Sequence, residues 1–273
     1  MQESAKESNY YRLMSDLTNY NPSQREAVTF GEGPLLVLAG PGSGKTFTIT
    51  QRILYLIHEK QIPPQKLLVI TFTREAAVSM RQRFLQISPQ HTTVNFGTFH
   101  SCFYQILLRS GRVSPGNILN EKQKKELIYP VLKKIKAHST LSATDLPELA
   151  KNLLTAIGYY KNTGDLQSSM DRLPEEWKND FTQVYSGYEE ARKRIRGLDF
   201  DDMLKECEEL LQKDDALRAY WQNLFSYILI DEFQDINYRQ YCIVRLLAQK
   251  HKNVFAVGDD DQAIYGFRGA KPA

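Results

Sequence analysis

The segment Ala39-Gly40-Pro41-Gly42-Ser43-Gly44-Lys45-Thr46 sets glycines, a lysine and a hydroxyl at the spacing of a phosphate-binding loop. The apolar run Leu35-Leu36-Val37-Leu38 precedes it, and a helical pattern follows, with Phe47, Ile49, Ile53, Leu54 and Ile57 apolar. Glycine lets successive backbone N–H groups turn inward on a polyphosphate, and the following helix aims its positive end at the same charge. Gly40, Gly42, Ser43 and Gly44 would supply that cradle. Lys45 has the reach to touch terminal phosphates, and the Thr46 hydroxyl is a ligand for Mg²⁺. The general pattern opens on glycine, where this chain has Ala39.

A second candidate is Tyr227-Ile228-Leu229-Ile230-Asp231-Glu232-Phe233-Gln234-Asp235. Its apolar run delivers adjacent carboxylates at a strand's carboxyl end, where ligands sit in open α/β sheets. Neighbouring residues on a strand point to opposite faces, so the two acids can divide the work. Asp231 suits Mg²⁺, and Glu232 suits general-base activation of water. Alone, the pair is equally an exposed acidic strand end; the phosphate loop gives it a partner. A third candidate, from Val257 to Ala270, carries Gln262, which can orient water, and Arg268, a permanent cation for phosphate. Tyr265 and Phe267 stand there among glycines, where base stacking and core packing are both open.

Positioning such groups takes a sheet. Near-continuous apolar or β-branched runs at 35–39, 67–72, 92–98, 227–231 and 253–258 suit parallel strands covered on both faces. Helical patterns lie between them, as at 74–85 with Ala76, Ala77, Met80 and Phe84 on one face, so the expected class is α/β with crossover helices. From about 110 to 197 strand runs vanish and Lys, Glu, Leu and Tyr dominate. Segments 121–136 and 177–196 have helical spacing, which predicts a helical subdomain (110–197) inserted in an α/β domain made of 1–109 and 198–273. The clusters Lys122-Lys124-Lys125 and Lys133-Lys134-Lys136 read as solvated helix faces; for Arg192-Lys193-Arg194-Arg196 a nucleic-acid contact is open as well.

The chain has 273 residues, enough for one large or two modest domains. A net charge of +3 permits a polyanionic partner without requiring one. Cys102, Cys207 and Cys242 lack metal or redox spacing, which predicts reduced, buried thiols and a cytoplasmic setting. No apolar run approaches membrane-spanning length, so no membrane partner is expected. His58, His91, His138 and His251 have no metal spacing.

Taken together, these segments resemble superfamily 1 helicases of the UvrD/Rep/PcrA kind, over most of the chain. Leu17 to Val28 is similar to the family's glutamine motif, which implies that Gln24 grips adenine. Thr71-Phe72-Thr73-Arg74-Glu75-Ala76-Ala77 and Gly97-Thr98-Phe99-His100-Ser101 resemble strand-contacting segments. There Phe72 would stack on a base, Thr71 or Thr73 would touch phosphate, and Thr98 and His100 would contact the strand. For His100 a hydrogen-bonded structural role is equally open. Leu198-Asp199-Phe200-Asp201-Asp202-Met203-Leu204 resembles the return from the inserted subdomain. The resemblance implies a RecA-like domain, ATP and Mg²⁺ as ligands, and 3′-to-5′ movement on single-stranded DNA or at a junction with duplex. It assigns catalytic work to Lys45, Glu232, Gln262 and Arg268, and strand contacts to Tyr265 and Phe267. This chain has Phe47 where the family often has Arg, Phe267 where Trp is common, and Ala263 where Ser is common.

Family members continue into a second RecA-like domain that supplies an arginine finger. The chain is therefore expected to be a monomeric amino-terminal fragment that binds Mg-ATP and hydrolyses it very slowly. Other readings are the helicase part of a RecB/AddA-type helicase–nuclease, a non-catalytic nucleic-acid-binding module, and a small-molecule kinase. The helical insertion and the acidic strand end count against the last.

Overall fold

The computed structural model describes residues 20–114, 116–135 and 145–259. They fall into two compact units. The first holds the described residues up to Thr98, with Tyr220–Gln234 and the residues from Leu247 onward; the second holds Phe99–Ala219 and Asp235–Leu246.

The first unit is built on a five-stranded sheet of β1 (Leu35–Leu38), β2 (Leu67–Thr71), β3 (Asn95–Thr98), β4 (Tyr227–Ile230) and β5 (Val254–Gly258). All four pairings are parallel and the order is β1-β5-β4-β2-β3. This is the α/β class that the apolar runs predicted. Three helices belong to it: α1 (Pro22–Thr29), α2 (Lys45–His58) and α3 (Arg74–Ile87). Ile49, Ile53, Leu56 and Ile57 of α2 recur on one face and are buried with Leu67, Val69, Leu229, Phe255 and Val257. Each such side chain contributes about 1.5–3 kcal/mol by leaving water. Helix α3 is capped by Thr73, whose hydroxyl accepts the Ala76 N–H at 3.1 Å, and it buries Ala77, Met80 and Phe84.

Two details depart from the sequence reading. Strand β1 is at the sheet edge and is not covered on both faces: Leu36 is 48% and Leu38 62% exposed. Phe47 is not part of the buried stripe of α2; it is 42% exposed and its ring lies 5.2 Å from that of Tyr20.

Arg52, on the third turn of α2, is 2% exposed. Its guanidinium donates to the carbonyls of Val28 (2.8 Å), Gly31 (3.0 Å) and Phe30, the orphan acceptors at and beyond the end of α1. It sits beside the rings of Tyr55 and Phe255, and no carboxylate pairs with it among the described residues. Burial lowers its pKa, and it is held by carbonyl dipoles and ring faces rather than by a carboxylate. Arg52→Met is therefore expected to strand three acceptors and to destabilise the α/β unit by about 3 kcal/mol in urea denaturation, with no nucleotide added.

The second unit is helical. It contains α4 (Phe99–Arg109), α5 (Glu121–Ile135), α6 (Leu146–Thr163), α7 (Leu166–Met170), α8 (Glu175–Lys178), α9 (Phe181–Arg194) and α10 (Phe200–Lys213). Helix α11 (Asp215–Leu224) begins in it, and most of α12 (Tyr238–Ala248) belongs to it. Its core gathers Ile128, Leu132, Leu153, Ile157, Trp177, Phe181 and Tyr188. Packing divides the chain differently from composition, since α4 and α10 fall in this unit although they lie outside 110–197. The spacing over 177–196 runs through a break: α8 ends at Lys178 and α9 begins at Phe181.

A buried ionic cluster joins α6, α9 and α10. Lys161 Nζ lies 2.7 Å from Glu189, 2.8 Å from Asp199 and 2.8 Å from Asp202. Arg192 reaches Glu189 at 2.8 Å and Asp202 at 2.9 Å, and donates to the Gly197 carbonyl at 2.7 Å. The basic run 192–196 is thus split: Arg192 is structural, while Arg194 is exposed and pairs with Glu190. Cys102 and Cys207 are buried free thiols, and burial pushes Cys102 up to about 12.

Candidate functional site

Because the sheet is parallel, the carboxyl ends of its strands share one edge. β1 leads there into the phosphate loop, β5 into Asp259 and β4 into Asp231-Glu232. β5 lies between the other two, so β1 and β4 are two strand spacings apart, about 10 Å. The chain leaves β1 for β2 and returns from β4 to β5, so the order reverses here, as at ligand crevices in open α/β sheets.

The loop has the backbone that its glycines permit. Gly42 has φ 71° and Gly44 φ 88°, both left-handed. A Cβ on Gly44 would also meet Gln24 Nε2 at 3.2 Å. Gly44 is the N-cap of α2 and offers no side-chain cap, so the first N–H groups of that helix are available to an anion. Gly40 and Ser43 are exposed, and the Ser43 N–H donates to the Gly40 carbonyl at 3.3 Å. The Ala39 N–H donates to the Gly258 carbonyl at 2.9 Å, which ties the loop to the end of β5. Thr46 is half-buried on the first turn of α2.

Lys45 Nζ donates to the Ala39 carbonyl at 3.1 Å and pairs with Asp259 Oδ2 at 3.2 Å. Asp231 is buried, and its Oδ1 accepts the Glu232 N–H at 3.1 Å. Burial, then the Glu232 charge, pushes the Asp231 carboxyl up to about 6; the Glu232 N–H and the Lys45 charge oppose the rise without cancelling it. An under-compensated carboxylate beside a phosphate loop fits a divalent cation, with the Thr46 hydroxyl as a second hard oxygen donor. Glu232 itself has φ 52°, an uncommon backbone state for a non-glycine residue, of the kind that collects at functional sites.

Gln24 forms a capping box with Asn21 at the start of α1. Its Oε1 accepts the Asn21 N–H at 3.2 Å and its Nε2 donates to the Ser43 carbonyl at 3.0 Å. The amide is thus beside the phosphate loop, and gripping a base would require it to exchange those bonds.

Phe72 and Thr73 follow β2, and Thr98 ends β3, where Thr71 pairs with Thr98. These three stand on the other half of the same sheet edge. Thr71 is fully buried and its hydroxyl donates to the Thr73 carbonyl, so of the two threonines only the exposed Thr73 is open to a ligand. His100 belongs to the helical unit, with its ring 5.0 Å from that of Phe200. Gln262, Tyr265, Phe267 and Arg268 lie outside the described residues.

Sequence reasoning assigned no role to Phe200, Gln234 or Asp259. Phe200 shares a helical stripe with Met203, Leu204, Cys207 and Leu211, all buried, which predicts a core residue; it is 46% exposed. An aromatic ring that leaves the core stripe of an amphipathic helix to lie against His100 is a candidate stacking surface. The signal for Asp259 and Gln234 was their place just beyond apolar runs, one residue after β5 and four after β4.

Among the described residues no helix is long and apolar enough to cross a membrane. The sequence profile of the UvrD/REP helicase N-terminal domain matches residues 20–273. YjcD of Bacillus subtilis is 40% identical over 263 residues, covering 93% of this chain and 33% of its own length. An ATP-dependent DNA helicase PcrA of Staphylococcus aureus is 38% identical over 266 residues, 93% of this chain and 35% of the relative. The protein of that name from Staphylococcus epidermidis is 40% identical over 262 residues, 92% and 35%. The chain thus spans about a third of the length of the curated relatives it matches. With its glycine-rich loop before a helix, its acidic β4 end and a profile match over nearly its whole length, this chain belongs to the UvrD/REP helicase N-terminal domain family.

Proposed function

We propose that this chain supplies the ATP-binding wall of an ATP-dependent DNA helicase that moves 3′-to-5′ along single-stranded DNA. The observation that carries the reading is the meeting of Lys45, Asp259, Asp231 and Glu232 at one sheet edge beside a loop whose Gly42 and Gly44 are left-handed. The loop's N–H groups hold the phosphates, and Lys45 exchanges its Asp259 contact for the terminal ones. Thr46 and Asp231 hold Mg²⁺, which when bound offsets phosphate charge. Glu232 accepts the proton of the attacking water. Gln24 recognises the base from the neighbouring helix start. The reading expects slow turnover by this chain alone, and an arginine finger supplied in trans to raise it by about 10³–10⁵.

In the α/β unit the Phe72 face holds single strands, with Thr73 and Thr98 on the phosphates; in the helical unit Phe200 beside His100 is a stacking face of its own. Base stacking is worth about 1–3 kcal/mol per base. Phe72→Ala and Phe200→Ala are each expected to weaken oligothymidine binding by about ten-fold, with Mg-ATP affinity unchanged, in fluorescence anisotropy. Wild-type strand affinity in both variants would remove the strand-tracking part of the reading. A non-catalytic strand-binding module is distinguished by Glu232→Gln: on the helicase reading it keeps Mg-ATP binding and loses hydrolysis.

A further inference from the structure

Gln234 is 8% exposed and its side-chain amide is engaged at both ends. Nε2 donates to Glu232 Oε2 at 2.7 Å, and Oε1 accepts the Asp259 N–H at 2.9 Å. The same Asp259 holds Lys45 through its carboxylate at 3.2 Å. One line of polar contacts therefore runs from the phosphate-loop lysine, through the end of β5, to the carboxylate of the acid after β4. The fold leaves room for this amide in one place. A Cβ on Gly258 would stand 2.8 Å from Gln234 Oε1, 3.3 Å from the Gln234 nitrogen and 3.4 Å from Phe233 Cβ. Gly258 has no left-handed φ, so its lack of a side chain serves the amide rather than the backbone.

We propose that Gln234 is a positioning residue for hydrolysis: its amide fixes the Glu232 carboxylate against the end of β5, and Gly258 is the cradle that lets it do so. The proposal rests on Glu232 acting as the general base. A carboxylate with left-handed backbone and no second anchor would rotate, and an error of about 1 Å in a reacting group can cost 10²-fold in rate. The amide is suited to the task because one end donates and the other accepts, matching a carboxylate on one side and an N–H on the other.

The test compares Gln234→Met, Gly258→Ala, their double variant and Glu232→Gln, using this chain in excess over labelled Mg-ATP in single turnover, with affinity from a fluorescent ATP analogue. Gln234→Met is expected to keep nucleotide affinity within about three-fold and to slow hydrolysis about 100-fold, as a one-ångström misplacement would. The NMR signal of the Asp259 N–H should shift and exchange faster in the same variant, a readout that does not need turnover. Gly258→Ala should slow hydrolysis by displacing the amide, and the double variant should lose much less than the product of the two single effects, because the amide that the methyl would displace is already gone and only the backbone contact at 3.3 Å remains. Three results would overturn the proposal: wild-type hydrolysis in Gln234→Met, an unchanged Asp259 N–H signal, or a loss of rate and affinity in proportion. If Glu232→Gln hydrolyses normally, the base assignment fails and takes the proposal with it. If Glu232→Gln is dead and Gln234→Met is normal, only the positioning role fails.

Discussion

Lys45→Met is expected to weaken Mg-ATP binding by about 100-fold or more and to end hydrolysis. On the proposed reading the ammonium would supply charge-assisted hydrogen bonds to phosphate, worth about 1.5–3 kcal/mol each, and no other cation bonds to the loop among the described residues. The variant has a second effect, which must be separated from the first. Asp259 is 2% exposed, and removing Lys45 leaves a buried carboxylate without this partner, so stability falls too. Lys45→Met with Asp259→Asn relieves that cost. The double variant is expected to regain most of the lost stability in urea denaturation while still failing to bind the nucleotide. Restored nucleotide binding in the double variant would mean that Lys45 acts on the fold and not on phosphate.

The largest expected change in stability comes from the helical unit, where Lys161→Met should cost about 4 kcal/mol. Lys161 is 5% exposed and holds three carboxylates within 2.8 Å, and breaking a buried ion cluster from one side leaves uncompensated charge. Arg192 alone then faces Glu189 and Asp202. Thermal unfolding should move down by on the order of 10 °C. A drop within the range of ordinary surface substitutions, about 0.5 kcal/mol, would show that the cluster is not integral to the unit.

The same cluster sets a pH dependence. Burial, then the Asp199 charge, pushes Asp202 up to about 7. Burial alone would raise Asp199, but the Lys161 charge and hydrogen bonds from Asp202 and Lys161 bring it down to about 2. A raised carboxyl binds more protons folded than unfolded, so its contribution falls as pH rises from about 4 to 7. A lowered one contributes above its unfolded value and is lost as pH falls from about 4 towards 2. Glu189 is lowered and has the second sign. The helical unit is therefore expected to be more stable at pH 5.5 than at pH 8, and to lose stability again below about pH 4. Asp202→Asn should flatten the limb between 5.5 and 8 and leave the acid limb in place.

The glycine-rich turn at 39–46 was legible from sequence because everything it needs is local. Left-handed backbone at Gly42 and Gly44, the lysine and hydroxyl after them, and the uncapped helix start all lie between 39 and 46. The parallel sheet was legible too, because strands buried from both sides read as unbroken apolar runs, and β2 is buried at every residue. The edge strand β1 shows the limit of that rule: Leu36 and Leu38 read as core and are exposed, since sequence does not say which strand stands last in the sheet. Phe200 shows the same limit: it shares a helical stripe with buried Met203, Leu204 and Cys207, yet it is exposed beside His100.

The chain by itself determined which chemical groups are present and which short turns present them. Tertiary structure decided their partners. Lys45 meets Asp259 across 214 residues, Lys161 meets Asp199 across 38, and the Gln234 amide meets the Asp259 N–H across 25. No local spacing encodes such meetings. They arise because parallel pairing brings the ends of β1, β5 and β4 to one edge, and because helices packed on a common core bring their charged ends into a place that water has left.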